Sequence, residues 1–199
     1  MGYEERKQAF RPLVPDIQFI TFNNCDDLNL ITRKTAAVIL ETIQGGAGFI
    51  EPNQNYLAKV RTRCDEVGAL LILDEIQPGI GRTGKLFGFE HYNCVPDILV
   101  TGKGLGGGMP IGAFTASKAM MSTLKDNPKL GHITTFGGHP VIAAAALAKA
   151  ALWCCCKPAA APATKPQLLV HLEQLLLLPA AAGCCCCCCW LLLAAAAAA

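Results

Sequence analysis

The 199-residue sequence has few charged residues and no long run of one sign. Charged residues make up 16% of the chain, and its 17 basic and 15 acidic side chains leave a formal net charge of +2. No run of lysine and arginine exceeds two residues, so we expect no nucleic-acid partner. The hydrophobic content of 52% is high enough to form a buried core, which excludes disorder along the whole length.

Cysteine is scarce except near the C-terminus. Nine of the 12 cysteines lie in residues 154–199, where the only charged residues are Lys157, Lys165 and Glu173. Six consecutive cysteines at 184–189 match neither a metal site nor a disulfide framework, because both need partners that are spaced along the chain. Residues 154–199 therefore form a low-complexity segment of Ala, Cys and Leu.

This segment does not indicate a membrane helix, although residues 175–199 carry no charge. Pro179 and Gly183 interrupt the apolar stretch, and no basic flank follows it. The DNA triplet CTG encodes Leu, Cys or Ala according to its frame, so runs of these three residues favour a frameshift or an artefact of the sequence. We expect residues 154–199 to be unrelated to the preceding domain and expect no membrane partner.

Residues 1–153 contain three cysteines, Cys25, Cys64 and Cys94, and no CxxC pair. This usage is typical of a reducing compartment. The first ten residues, MGYEERKQAF, have no apolar run after their charges and so do not resemble an export signal. We therefore expect a cytoplasmic location.

Short apolar runs and segments of helical spacing alternate over residues 1–153. The apolar runs predict strands at Thr35–Leu40, Ala69–Leu73, Asp97–Thr101 and Ile111–Ala116. The spacing of apolar residues predicts helices at Tyr56–Val67, Ser117–Leu124 and Pro140–Trp153, and Gly68 is suited to end the first. Strands without polar alternation are typical of a sheet covered on both faces. The sequence thus predicts an α/β fold with a mainly parallel sheet and crossover helices.

Ligands of such sheets bind at the carboxyl ends of the strands, where this sequence places several polar residues. These residues are Glu41, Asp74, Glu75, Gln77 and Lys103. Lys103 is flanked by Gly102 and Gly104, which leave its amine unshielded, and a desolvated lysine can attack a carbonyl carbon to form a Schiff base. A carboxylate on the neighbouring strand end could pair with the ring nitrogen of pyridoxal phosphate. Alternatively, Asp74 and Glu75 form a cap or surface turn, and Lys103 is a flexible surface lysine.

Two glycine-rich segments suggest alternative nucleotide sites. Residues 79–85 fit the phosphate-loop pattern GxxxxGK, but Leu86 stands where a magnesium-binding Ser or Thr is needed. Residues 102–107 fit the dinucleotide pattern GxGxxG, yet Met109 and Pro110 follow where a helix should begin. The hydroxyls of Thr134 and Thr135 precede two glycines and a helix start, which suits either a phosphate or a simple turn. The histidines at 91, 132 and 139 show no metal-ligand spacing.

The order and spacing of these motifs resemble the class III pyridoxal-phosphate aminotransferases, the ornithine and acetylornithine type. The matching segments are LILDEIQPGIGRTGKLFGFEHYNCVPDILVTGKGLGGGMPIGAF and HITTFGGHP. The resemblance implies the fold-type I large domain, in part, and pyridoxal 5'-phosphate as the cofactor. It also implies a transaminase, which moves an amino group from an amino or omega-amino donor to a 2-oxo acid in two half-reactions.

The resemblance further implies roles for individual residues. Asp74 would pair with the pyridine nitrogen, Gln77 would bond the ring hydroxyl, and Lys103 would form the Schiff base and carry protons. Thr135 would reach the cofactor phosphate of the neighbouring subunit, which implies a homodimer. Glu41 matches a family acid close to cofactor and substrate.

Departures from the family pattern leave the activity of this chain open. Gly46 stands where many members carry an acid that gates a substrate-binding arginine, and Thr42 replaces a common proline. Family members are about twice as long, and the phosphate loop, the ring-stacking aromatic residue and the small domain have no counterpart in the match. We expect residues 1–153 to form part of the large domain. A related enzyme such as an aminomutase, or an inactive fragment, is the alternative.

Overall fold

The computed structural model describes residues 4–53, 55–126 and 132–155. Its helices are α1 (Glu4–Lys7), α2 (Tyr56–Val67), α3 (Lys118–Asp126) and α4 (Pro140–Cys155). Its strands are β1 (Ala37–Glu41), β2 (Leu70–Asp74), β3 (Ile98–Gly102) and β4 (Gly112–Ala116). Short 3-10 helices lie at Gln8–Phe10, Asp26–Leu30, Gly88–His91 and Lys103–Gly106. Apart from the last two residues of α4, the low-complexity segment predicted at 154–199 lies outside the described residues.

The four strands form one mixed sheet in the order β1-β2-β3-β4. The first three strands are parallel, as the apolar runs predict, but β4 pairs with β3 in the antiparallel direction. The prediction of a mainly parallel sheet is therefore confirmed, with β4 as the antiparallel strand of the described sheet. The connection over residues 103–111 is shorter than the dozen or so residues that a parallel crossover needs.

Only one of the two parallel connections contains an α-helix. Helix α2 connects β1 to β2, with the predicted bounds, and it ends at Gly68, whose φ of 78° is left-handed. The connection from β2 to β3 contains the 3-10 helix Gly88–His91 instead of a crossover α-helix. Pro78 and the glycines at 79, 81 and 84 account for this difference, because they disfavour a continuous helix.

Two predicted boundaries move because local hydrogen bonds form turns or caps. Strand β1 begins at Ala37 and not at Thr35, whose amide donates to the Thr32 carbonyl at 2.8 Å. Helix α3 begins at Lys118 because the Ser117 hydroxyl accepts a bond from the Met120 amide at 3.3 Å and so acts as an N-cap.

One face of the sheet carries the core. Strand residues Val38, Leu71 and Leu99 are buried on this face, and α2 contributes buried side chains that include Leu57 and Val60. Burial of side chains of this size contributes about 1.5–3 kcal/mol each.

The opposite face of the sheet is only partly covered. Ile39 on this face is 53% exposed, and Ile72, Asp74 and Val100 are half-buried. The expectation that both faces are covered is therefore wrong for the described residues. Within those residues, no helix has the length and apolar character that crossing a membrane requires.

Candidate active site

The parallel register brings the predicted acidic residues to one edge of the sheet. Glu41 at the end of β1 pairs in register with Asp74 at the end of β2, and Asp74 pairs with Val100 of β3. Lys103 directly follows Gly102, the last residue of β3. The ends of three adjacent strands thus present Glu41, Asp74 and Lys103 at the same edge.

Both carboxylates at this edge retain an oxygen without a donor among the described residues. Oδ1 of Asp74 accepts a hydrogen bond from the Ile76 amide at 3.0 Å. Oε2 of Glu41 accepts one from the Gly45 amide at 2.9 Å. These bonds orient each side chain and leave its second oxygen available for a ligand.

Gln77 lies beside the loop whose backbone binds Glu41. Its side-chain amide contacts Gly45 and occupies the space that a Cβ at position 45 would fill. The Gly45 amide donates to Glu41, and Gly45 also contacts Gln77. Gly45 therefore connects Glu41 to Gln77. The side chain of Gln77 is exposed, so its amide is accessible from solvent.

Lys103 is exposed and has an unusual backbone conformation. Its φ of 41° lies in the left-handed region, which is unfavourable for a residue with a Cβ. A Cβ at Gly102 would lie 3.5 Å from the Ile76 side chain, and one at Gly104 would lie 3.4 Å from Ile80. The lysine segment therefore packs directly on the segment that follows Asp74. Strained residues of this kind cluster at functional sites.

Thr135 is not brought to the other candidates. It lies exposed in a turn in which the Gly137 amide donates to the Thr134 carbonyl at 3.1 Å. Within the described residues, no hydrogen bond joins Thr135 to Glu41, Asp74 or Lys103. Its role toward a phosphate in a neighbouring subunit stays a prediction from the resemblance.

The structure shows a role for Glu75 that the sequence did not indicate. Glu75 is fully buried, so its interpretation as a cap or surface turn is wrong. Its carboxylate accepts hydrogen bonds from the Thr42 hydroxyl at 2.6 Å, the Gly88 amide at 2.8 Å and the Phe89 amide at 2.9 Å. Burial raises the pKa of Glu75 above its ordinary value, and these three donors oppose that rise.

The phosphate-loop alternative is wrong for residues 79–85, because this loop bonds to itself. The amides of Gly79, Gly81 and Gly84 donate to carbonyls at 75, 86 and 81, over 3.0–3.2 Å. Nζ of Lys85 donates to the Glu90 carbonyl at 2.7 Å. The next element after the loop is the 3-10 helix Gly88–His91 and not an α-helix, so neither the amides of the loop nor its lysine is arranged for a phosphate.

The dinucleotide pattern at 102–107 also lacks its structural context. Residues 103–106 of the pattern themselves form a 3-10 helix, and the chain then enters β4 at Gly112, where an α-helix would be needed. His91 contacts Thr83, with its Nε2 3.1 Å from the carbonyl and the hydroxyl. No group of three or more His, Cys, Asp or Glu side chains in the described ranges could hold a metal ion.

A sequence model of the family described as "Aminotransferase class-III" matches residues 6–154. The chain belongs to the class III aminotransferases. This finding confirms the fold class and the family predicted from the motifs, and the match ends one residue beyond the predicted domain boundary.

Solved structures of other proteins resemble this class III aminotransferase over part of their length. Ornithine aminotransferase of Plasmodium yoelii is 38% identical and has a TM-score of 0.60, covering 65% of this chain and 35% of its own. Ornithine aminotransferase of Toxoplasma gondii is 34% identical with a TM-score of 0.69, covering 74% of this chain and 35% of its own. In the latter protein, pyridoxal phosphate partly occupies the active site.

An S-selective transaminase from Arthrobacter is 38% identical, with a TM-score of 0.57. The match covers 64% of this chain and 27% of the Arthrobacter protein. The chain therefore spans about a third or less of the length of these three relatives.

Proposed function

We propose that this class III aminotransferase takes part in the pyridoxal-phosphate-dependent transfer of an amino group from an amino or omega-amino donor to a 2-oxo acid. The observation that carries the proposal is the position of Asp74 and Lys103 at the carboxyl ends of two adjacent parallel strands. The family membership and the transaminases among the structural relatives support it.

The residues at this edge fit pyridoxal phosphate in their chemistry. Asp74 has a carboxylate oxygen available for a protonated ring nitrogen, and the exposed amide of Gln77 is suited to a ring hydroxyl. Lys103 has an exposed primary amine for the aldehyde carbon, and it takes part in none of the ion pairs between described residues. A carboxylate, an amide and a primary amine that would suit the ring nitrogen, the ring hydroxyl and the aldehyde are therefore present at this edge.

When bound, pyridoxal phosphate would supply a ring that can accept the electrons left on the amine-bearing carbon of the donor after a proton is removed. Lys103 would supply the primary amine that holds the cofactor. Its free Nζ could take a proton from the carbon that bears the donor's amino group and later return one, as a general base and acid. The hydrogen bond from the Ile76 amide fixes one oxygen of Asp74, and the other oxygen would pair with the ring nitrogen.

Further parts of the proposal rest on the sequence. Glu41 lies beside Asp74 in register and so is placed near the proposed cofactor and substrate. A phosphate contact of Thr135 from a second subunit, and hence a homodimer, stays a prediction, as does the cytoplasmic location.

The experiment follows nitrogen from donor to acceptor. The purified chain is incubated with pyridoxal phosphate, ornithine labelled with ¹⁵N at the δ-amino group, and 2-oxoglutarate. We expect ¹⁵N-glutamate by mass spectrometry. Lys103→Ala should lower its rate by at least about 100-fold. Lys118→Ala, which removes another exposed lysine, should leave the rate unchanged.

Two results would contradict the proposal. The first is a lack of transfer by the wild-type chain, or equal transfer by Lys103→Ala. The second is retention of ¹⁵N in a rearranged donor, which would indicate an aminomutase.

A further inference from the structure

We propose that Thr42 and Glu75 form a positioning pair, which locks the segment after β2 onto the sheet and thereby holds Asp74 and Gln77 in place. This inference rests on the proposed function, because Asp74 and Gln77 are the residues offered to the cofactor. Neither member of the pair touches the exposed edge, since both side chains are fully buried.

The register places the pair directly behind the site. Glu41 and Asp74 pair in register on one face of the sheet, and Thr42 and Glu75 are the next residues along each chain. Because successive side chains point to opposite faces, the second pair is directed into the core. The Thr42 hydroxyl donates to Oε1 of Glu75 at 2.6 Å and so connects the two strand ends side chain to side chain.

Glu75 also holds a distant part of the chain. Its carboxylate accepts the amides of Gly88 and Phe89, which lie 13 and 14 residues further on. Its own amide donates to the Val100 carbonyl of β3 at 2.8 Å, and its carbonyl accepts the Gly79 amide at 3.0 Å. One buried residue therefore joins the end of β1, strand β3 and both ends of the loop that follows Gln77.

Two glycines provide independent support for this arrangement. A Cβ at Gly79 would lie 2.5 Å from the Glu75 carbonyl oxygen, which is too close for any side chain. A Cβ at Gly88 would lie 3.2 Å and 3.3 Å from the two carboxylate oxygens and 3.0 Å from Cβ of Pro78. The close approach of the loop to Glu75 therefore requires a glycine at position 79, and at position 88 a side chain would fit only if its neighbours shifted by a few tenths of an ångström.

Removal of the Thr42 hydroxyl breaks the pair with the least change in the shape of a side chain. Thr42→Val keeps the size and the branching of the side chain but leaves Oε1 of Glu75 with one donor fewer in a buried site. Thr42→Ser restores the hydroxyl. Thr62→Val is the matched control, because the Thr62 hydroxyl bonds only the Ala58 carbonyl on the exposed side of α2.

The test measures amide hydrogen exchange in the chain without cofactor, together with the dissociation constant for pyridoxal phosphate. We expect Thr42→Val to speed exchange at Gly88 and Phe89 about tenfold. Exchange at Val60 and Cys64 in the core, which reports global unfolding, should change less. The same variant should bind pyridoxal phosphate about tenfold more weakly, whereas Thr42→Ser and Thr62→Val should match the wild type.

If Thr42 has a merely structural role, Thr42→Val will speed exchange at Val60 and Cys64 as much as at Gly88. The dissociation constant for pyridoxal phosphate will then stay unchanged. This pair of results would overturn the proposal. If Thr42→Val does not fold, exchange in the wild type still tests the proposal. Exchange at Gly88 as fast as at the exposed Lys85 would also overturn it. If the wild type binds no pyridoxal phosphate but local exchange responds as expected, the proposed function fails and the locking of the loop by the pair stands.

Discussion

At the scale of single residues, the conformation of Lys103 is the feature most closely tied to the proposed chemistry. Its φ of 41° costs energy because its Cβ crowds the backbone, while flanking glycines keep its amine accessible. A position that served stability alone would be better occupied by glycine. The lysine is therefore expected to be retained for its amine at a cost in stability.

Substitution of Lys103 by glycine and by alanine separates the amine from the backbone conformation. Both variants lose the amine, but only Lys103→Gly relieves the left-handed backbone. We expect Lys103→Gly to be the more stable variant, with a free energy of unfolding about 0.5–1 kcal/mol higher than that of Lys103→Ala. This follows because the cost of about 1–2 kcal/mol for a Cβ in that region exceeds the entropy cost of glycine. Urea denaturation measures the difference, and a more stable alanine variant would show that Lys103 is not strained.

The sequence could predict Asp74 and Lys103, because each follows an apolar strand of a parallel pair whose carboxyl ends must meet at one edge. It could not predict the burial of Glu75. That burial depends on a loop that returns 13 residues later and on two glycines that admit it. Sequence patterns indicate the structure of residues that are close along the chain. They do not indicate contacts between residues that are far apart in the sequence.

At the scale of elements, helix α2 and its ending at Gly68 were fully predictable. The apolar spacing defines its buried face, and Gly68 adopts the left-handed conformation that ends many helices. The direction of β4 was not inferred, although the short connection before it excludes a parallel crossover. Apolar composition alone does not separate parallel from antiparallel strands.

The ending of α2 gives a prediction with a control of the same kind. Gly68→Ala places a Cβ at a φ of 78° and is expected to lower the free energy of unfolding by about 1–2 kcal/mol. Gly46 has no atoms within 4 Å of an added Cβ, and its φ is not positive, so Gly46→Ala should change stability by less than about 0.5 kcal/mol. Equal effects in chemical denaturation would contradict the assigned C-cap.

At the scale of the whole molecule, the described sheet has one covered face and one partly open face. Strand β1 is also an edge strand in the described sheet, with Ile39 53% exposed. Exposed apolar edges favour association between chains. The face that carries Asp74 and Glu41 is thus also the face that we expect to cause self-association of the isolated chain.

A charge on this face should reduce that association. Ile39→Lys is expected to lower light scattering of the purified chain at equal concentration, because a lysine on an edge strand opposes pairing with another strand. Leu30→Lys is the control, since Leu30 is 45% exposed but lies outside the sheet. If Leu30→Lys lowers scattering as much as Ile39→Lys does, the effect is one of net charge and the open sheet face is not responsible.

The central claim is that the strand ends of this chain still present Lys103 to pyridoxal phosphate beside Asp74. The most direct measurement is to incubate the purified chain with pyridoxal phosphate, reduce it with borohydride, digest it and locate the modified lysine by mass spectrometry. The account predicts selective labelling of Lys103, weaker in Asp74→Ala and absent in Lys103→Ala. Labelling scattered over surface lysines such as Lys59 and Lys118, or no labelling, would contradict it.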